Sequence, residues 1–163
     1  MKIYTLKRTQ FLPIGIDEAW AFFSSPRNLS RITPEEMDFQ IRYISGAGDT
    51  MYPGQIIRYR IKVLPLFTVQ WVTEITHAQP PYYFVDEQRL GPYGMWHHQH
   101  HFRDVTGGVK MTDEVNYGLP LGLVGKLAHW LFVEQRVNAI FDHRFKILQG
   151  YFGADETKIS QAS

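Results

Sequence analysis

Apolar and polar residues alternate along most of the first 117 residues, and this period of two indicates β-strands. The clearest case is 57–63, IRYRIKV, in which every second residue is apolar and the residues between are basic. Prolines and glycines divide the pattern into seven predicted strands, at 2–12, 39–44, 57–63, 67–76, 83–90, 95–105 and 109–117. The links between the last six strands are short, so we expect antiparallel neighbours.

Helical signals lie in two places. Asp17 and Glu18 suit the positive end of a helix that stops before Pro26, and a second short helix is predicted over 27–32. After Pro120 the apolar residues recur at steps of three and four, which predicts one long helix of about 26 residues up to Phe152. The residues taken for its apolar stripe are Val124, Leu127, Leu131, Asn138, Phe141, Phe145, Leu148 and Phe152.

This order of elements predicts an α+β domain. A curved antiparallel seven-stranded sheet would wrap its apolar face around the long C-terminal helix, with two short helices after the first strand. A bent sheet that grips one helix need not close tightly, so we expect an internal cavity between them. We predict a single domain over 1–153 and a polar, frayed tail over 154–163.

Composition excludes several classes of protein. The 163 residues carry a net charge of +1 without a block of like charge, which argues against a nucleic-acid partner. There is no cysteine, hence no disulfide and no thiolate site. No apolar run reaches signal-peptide length at the N-terminus or the ~20 residues of a membrane span. We therefore expect a cytoplasmic protein without a membrane span.

The segment 91–102, GPYGMWHHQHHF, carries four of the seven histidines within five residues. On a strand these histidines alternate between the two faces. One predicted face is aromatic and imidazole in character, with Trp96, His98, His100 and Phe102. The other is wholly polar, with His97, Gln99, His101 and Arg103.

Turn chemistry allows a prediction of strand register. A three-residue loop around Pro92 would place Asp86 opposite His100 and Gln88 opposite His98. A turn at Gly107–Gly108 would place Asp113 directly or diagonally opposite His100. The predicted result is an inward polar cluster, Asp86, His98, His100 and Asp113. The cavity around it would be lined by Gln88, Trp96, Phe102, Met111, Tyr117 and Tyr59, with Phe141 and Asn138 from the helix.

Several motifs resemble the START-like (SRPBCC) superfamily, which includes the birch-pollen-allergen proteins and polyketide cyclases. They resemble more narrowly an uncharacterised bacterial, polyketide-cyclase-like branch. The motifs are Asn28-Leu29 with Ile32-Thr33-Pro34, Phe84-Val85-Asp86 with Gln88, Gly91-Pro92-Tyr93, the alternating Trp96, His98, His100 and Phe102, and Asp113, Val115 and Tyr117. The resemblance spans residues 3 to 152 and implies a helix-grip fold. It does not select one activity, because the superfamily includes carriers, hormone receptors, cyclases and chaperone cofactors.

Three functional hypotheses follow. The first is binding of a small hydrophobic or aromatic molecule in the cavity, with the polar cluster serving only to satisfy its own buried groups. The second is a cyclase or dehydratase acting on a polyketide-like compound, in which Asp86 or Asp113 orients His100 as the general acid or base and His98 carries a second proton. The third is a protein-interaction module with a filled core. Whether the protein is an enzyme stays open.

The inward histidines and carboxylates also raise the question of a bound metal. His98 and His100 with Asp86 or Asp113 could hold zinc or iron, but histidines two apart on a strand are a weak metal signal. We therefore expect no metal and no other cofactor. We also expect a monomer or a weak homodimer.

Overall fold

A computed structural model describes residues 1–64, 67–120, 122 and 132–153. In this part of the chain seven strands form one antiparallel sheet in the order β1-β7-β6-β5-β4-β3-β2. The strands are β1 Ile3–Leu12, β2 Gln40–Ile44, β3 Ile56–Leu64, β4 Phe67–Gln79, β5 Tyr83–Leu90, β6 Met95–Val105 and β7 Gly108–Gly118. The helices are α1 Ile16–Phe23, two 3₁₀ helices at Pro26–Ile32 and Glu35–Met37, and α2 Glu134–Phe152. The predicted α+β architecture is confirmed.

Alternation of side chains decides which face of the sheet is buried. Along β7 the residues Met111, Asp113 and Val115 are all buried, and the residues between them are partly exposed. In β3, likewise, Ile57, Tyr59 and Ile61 point inward. Register shifts in β4, near Val72 and Ile75, interrupt the ladder with β5, and such irregularities bend a sheet. The sheet therefore offers one concave apolar face.

The helix α2 covers that face, with Val137, Phe141, Arg144 and Leu148 buried. The predicted stripe placed Asn138 and Phe145 inward, and this was wrong by one residue. Asn138 instead accepts a hydrogen bond from Arg8 of the edge strand β1 and donates one to the Glu134 carbonyl at 2.8 Å. The earlier part of the predicted helix, 123–131, and the predicted tail, 154–163, lie outside the described residues.

The register of the β5–β6 hairpin differs from the prediction. Pairing ends at Glu87 opposite His97, so Asp86 faces His98 rather than His100. The side chain of Gln88 holds the wider connection by donating to the Tyr93 carbonyl at 2.7 Å and accepting from the Tyr93 amide at 3.2 Å. The shift is two residues, so every side chain keeps its predicted face.

The β6–β7 hairpin places His100 directly opposite Asp113, one of the two predicted alternatives. Its turn consists of Thr106 and Gly107, between the paired residues Val105 and Gly108. Gly107 has a φ of 80°, a conformation that favours glycine. No helix of the described residues is long and apolar enough to cross a membrane.

Candidate functional site

A cavity of about 350 Å³ lies between the sheet, α2 and the short helices. Its aromatic side is built from Tyr59, Trp71, Tyr93 and Trp96. Tyr59 stacks on Trp71 with ring centroids 5.9 Å apart, and Trp96 meets Trp71 edge to face at 5.4 Å. The volume falls within the ~300–1,000 Å³ that is usual for small-molecule sites.

One wall of this cavity is ionisable. His98 and His100 point inward from β6, with ring centroids 3.8 Å apart. His98 Nε2 lies 3.0 Å from Asp113 Oδ1, and His100 Nε2 lies 3.0 Å from Asp86 Oδ2. The remaining nitrogens also face carboxylates: His98 Nδ1 is 3.3 Å from Asp86 Oδ2, and His100 Nδ1 is 2.9 Å from Asp113 Oδ1. Each imidazole therefore bridges both carboxylates.

The four contacts differ in kind. The two Nε2 contacts are aligned hydrogen bonds, whereas the two Nδ1 contacts are close ion-pair distances without hydrogen-bond alignment. Asp86, His98 and His100 line the cavity, and Asp113 lies behind the imidazoles, away from it. We call these four residues the His–Asp cluster.

Arg144 of α2 adds a cation beside this cluster. Its Nη1 lies 3.8 Å from Asp113 Oδ1, and its guanidinium lies 4.8 Å from the ring centre of Phe141. Its side chain is buried, and no hydrogen-bond acceptor for its Nε lies among the described residues. Sequence analysis missed Arg144, although it follows Phe141 by three residues and precedes Leu148 by four, the spacing of one helix face.

Burial and charge pull the cluster's pKa values in opposite directions. Burial favours neutral carboxyls, but the imidazoles outweigh it, lowering the pKa of Asp86 and holding that of Asp113 well below its usual range. Burial and then His100 lower the pKa of His98. Burial also opposes a charged His100, yet contacts with Asp113 and Asp86 raise its pKa. The opposite directions of these two shifts favour a proton on His100 over a proton on His98.

The structure places the predicted cavity residues in two groups. Tyr59, Trp96 and Phe141 line the cavity together with three members of the His–Asp cluster. Five others are absent from the lining formed by the described residues: Gln88, Phe102, Met111, Tyr117 and Asn138.

Each of those five packs elsewhere for a physical reason. Phe102 is covered by Trp20 and Phe23, with ring centroids 6.2 and 5.3 Å away. Met111 is buried in the core beyond the cavity, and Tyr117 packs on Tyr93 at 5.8 Å. Gln88 is hydrogen-bonded to the backbone of Tyr93 in the hairpin loop, and Asn138 is hydrogen-bonded to Arg8 of β1, as described above. Residues on the same face of the sheet therefore do not all line the cavity, because α1 and the hairpin loop cover part of that face.

Sequence analysis also missed Trp71 and Tyr93 as cavity residues. Trp71 lies opposite Tyr59 in the β3–β4 ladder, so the alternation of β4 could have identified it. Its Nε1 is buried without an acceptor among the described residues. Tyr93 belongs to the hairpin loop, where no periodicity indicates the direction of a side chain. Burial raises its pKa, so its hydroxyl stays neutral.

Comparison with known proteins shows the fold. No protein-family model matches the chain, and no curated protein matches it in sequence. Three solved structures illustrate the structural likeness. The di-domain ARO/CYC BexL from the BE-7585A biosynthetic pathway has a TM-score of 0.69 at 12% identity, over 93% of this chain and 50% of that chain. Ara h 8.0201 has a TM-score of 0.59 at 16% identity, over 93% and 98% of the two chains.

The third structure, protein CV1439 from Chromobacterium violaceum, has a TM-score of 0.66 at 12% identity, over 93% and 98% of the two chains. The chain has the helix-grip fold. This confirms the fold implied by the resemblance of its motifs to START-like proteins. Identities this low carry no residue roles from those proteins to this one.

Proposed function

We propose that this protein binds a small, largely apolar molecule with aromatic character in the cavity between the sheet and α2. The observation that carries the proposal is the cavity of about 350 Å³, with aromatic walls and one ionisable wall. Apolar walls with a few converging polar groups are typical of small-molecule sites. A filled core, as in a pure protein-interaction module, would leave far less space.

The polar groups of the cavity constrain the ligand. The buried Trp71 Nε1 is a donor that finds no acceptor among the described residues, and an acceptor on the ligand would satisfy it. The hydroxyl of Tyr59 is hydrogen-bonded to that of Thr73, with 3.2 Å between the two oxygens. A flat ring system that carries a carbonyl or a phenolic oxygen fits this combination. The proposal includes a cytoplasmic location and a monomer or weak homodimer.

The test uses the neutral fluorescent probe N-phenyl-1-naphthylamine. We expect saturable binding of one probe per chain, with blue-shifted emission from an apolar environment. Ile57→Trp places a large side chain in the cavity and should weaken binding by at least about tenfold, since overpacking removes the space that the probe needs. Ile56→Trp is the matched control, because Ile56 is on the opposite face of β3. Equal probe affinity in the two variants would reject the cavity as the binding site.

A second candidate function is supported by the position of the His–Asp cluster on the cavity wall. A charged imidazole beside a neutral one can act as a general acid and a general base. In a dehydration, the neutral His98 would remove a proton from the carbon between a carbonyl and a carbinol. The C–O bond would then break, and His100 would give its proton to the departing hydroxide, leaving an enone and water.

Substitution of His100 separates the two candidates. With a fused-ring β-hydroxy ketone as substrate, loss of water is followed by mass spectrometry. If the protein is an enzyme, His100→Ala should lower turnover by about 100-fold or more. If it is a carrier, wild-type protein should bind the ketone without accelerating dehydration, and His100→Ala should keep most of the affinity.

A further inference from the structure

The His–Asp cluster has an arrangement that ligand binding alone does not require. Asp86, His98 and His100 each offer one ligand atom, and these three atoms lie within 4.8 Å of one another. Asp86 Oδ2 lies 3.3 Å from His98 Nδ1 and 3.0 Å from His100 Nε2. Two nitrogens from different rings thus converge on one carboxylate oxygen.

These separations match those of atoms that share a metal ion. Zinc binds histidine nitrogen and carboxylate oxygen at about 2.0–2.2 Å. Two such atoms, at angles between tetrahedral and octahedral, are about 3.0–3.4 Å apart. The two distances to Asp86 Oδ2 fit neighbouring ligands around one ion, and the 3.0 Å contact is at the same time the hydrogen bond described above.

Asp113 supplies for His98 the supporting hydrogen bond that metal-binding histidines usually have. Its Oδ1 lies 3.0 Å from His98 Nε2 and 2.9 Å from His100 Nδ1, the nitrogen of each ring that does not face Asp86. A carboxylate on the far nitrogen fixes the tautomer and the ring orientation of a ligating histidine. Here the carboxylate is hydrogen-bonded to His98, and His100 lies at ion-pair distance from it without hydrogen-bond alignment. Arg144 lies 3.8 Å from the same oxygen.

We propose that His98 Nδ1, His100 Nε2 and Asp86 Oδ2 bind a divalent transition-metal ion of the Zn²⁺ class, with Asp113 as the positioning residue for the His98 imidazole. Two imidazoles and one carboxylate favour such an ion over Mg²⁺ or Ca²⁺, which prefer oxygen ligands. All three ligand residues line the cavity, so the remaining coordination position faces it. Three protein ligands with one open position are typical of reactive rather than structural zinc sites.

The experiment titrates chelator-stripped protein with Co²⁺, whose visible absorption reports its coordination, and then displaces Co²⁺ with Zn²⁺. We expect one ion per chain, and a loss of Zn²⁺ affinity of at least about 100-fold in His98→Ala and in Asp86→Asn. Asp113→Asn should bind about 10–100-fold more weakly, with changed Co²⁺ bands, because it weakens the hydrogen bond that orients His98 without removing a ligand.

The chain provides its own controls on the same strand. His97 and His101 lie on the outer face of β6, where His97 contacts Glu87 and His101 contacts Gln99. His97→Ala and His101→Ala should leave metal affinity unchanged. Circular dichroism checks that every variant folds. X-ray absorption of the zinc-loaded wild-type protein, with scattering from two imidazoles expected, tests the ligands without any substitution.

Three results would overturn the proposal. They are no stoichiometric uptake by the wild-type protein, unchanged affinity in folded His98→Ala and Asp86→Asn, or an absorption spectrum without imidazole scattering. The inference does not depend on a ligand in the cavity. Binding of N-phenyl-1-naphthylamine, measured on the same stripped protein, separates failure of the metal site from failure of the proposed cavity function.

Discussion

The two faces of β6 carry the same residue type in very different environments. His98 and His100 point inward, are buried and each contact two carboxylates. His97 and His101 point outward, where they pair with Glu87 and Gln99. A shift of one position along the strand separates a cavity wall from an ordinary surface. The residue type therefore says little about function until its face and its partners are known.

The largest effect should come from removing the carboxylate behind the inner pair. Asp113→Ala leaves two imidazoles and Arg144 buried without their shared partner, and breaking a buried ion pair costs about 3–5 kcal/mol. Glu114→Ala on the outer face removes a solvent-exposed pair with Lys7, 3.0 Å apart, and should cost less than about 1 kcal/mol. Urea unfolding of the metal-free variants at neutral pH measures both. Equal losses would mean that the two faces do not differ as described.

Acid should affect the inner face next most strongly. The pKa values of Asp86 and Asp113 are lowered in the folded protein, so each carboxylate contributes stability above its ordinary pKa of 3.8. That contribution is lost as the pH falls through the folded pKa, with a slope of up to about 1.4 kcal/mol per pH unit for each proton. Unfolding free energy of metal-free protein, measured from pH 5 downward, should decrease accordingly. Asp113→Asn should flatten the slope, and an unchanged slope would contradict the assignment.

Removing the hydrogen bonds of Gln88 in the β5–β6 hairpin should have a smaller effect on stability. Gln88→Ala removes two hydrogen bonds to the backbone of Tyr93 and should cost about 1–2 kcal/mol. Gln99→Ala is the matched control, because Gln99 is on the outer face of β6 and its side chain is hydrogen-bonded to the exposed His101. Thermal unfolding compares the two variants. A loss of stability in the control as large as that in Gln88→Ala would contradict the role of Gln88 in holding the hairpin loop.

The smallest effect is expected at the outer histidines themselves. His101→Ala should change the unfolding free energy by no more than about 0.5 kcal/mol, the usual range for a surface substitution. Its side chain has the exposed Gln99 as a hydrogen-bond partner and stacks on Tyr83 with ring centroids 5.7 Å apart. A loss above 2 kcal/mol would show that His101 stabilises the fold more than an ordinary surface residue does. Urea unfolding provides the measurement.

The face of each strand residue was predictable because the period of a strand is two, and a register shift of two residues leaves every side chain on its face. For that reason the inward cluster was identified although Asp86 was paired with the wrong histidine. The register itself depends on the loop. The side chain of Gln88 donates a hydrogen bond to the Tyr93 carbonyl, and no local pattern of residues predicts that contact.

The helix and the cavity were harder to predict. Phe141 and Leu148 of the predicted stripe are buried, but Val137 and Arg144 are buried where Asn138 and Phe145 were expected. A buried arginine goes against the rule that apolar residues fill the core, and the carboxylate of Asp113, 3.8 Å from its Nη1, accounts for its position. Which inward residues line open space depends on what covers them. Phe102 lies under α1, an arrangement set by tertiary packing rather than by the pattern along β6.

The most direct test of the account is a comparison of the two histidine pairs during ligand binding. Side-chain nitrogen resonances of all histidines would be followed by NMR while N-phenyl-1-naphthylamine is added to metal-free protein. If the inner face of β6 forms the wall of a binding cavity, the His98 and His100 resonances should shift with saturation while those of His97 and His101 stay constant. Shifts of equal size at both pairs, or at the outer pair alone, would contradict the account.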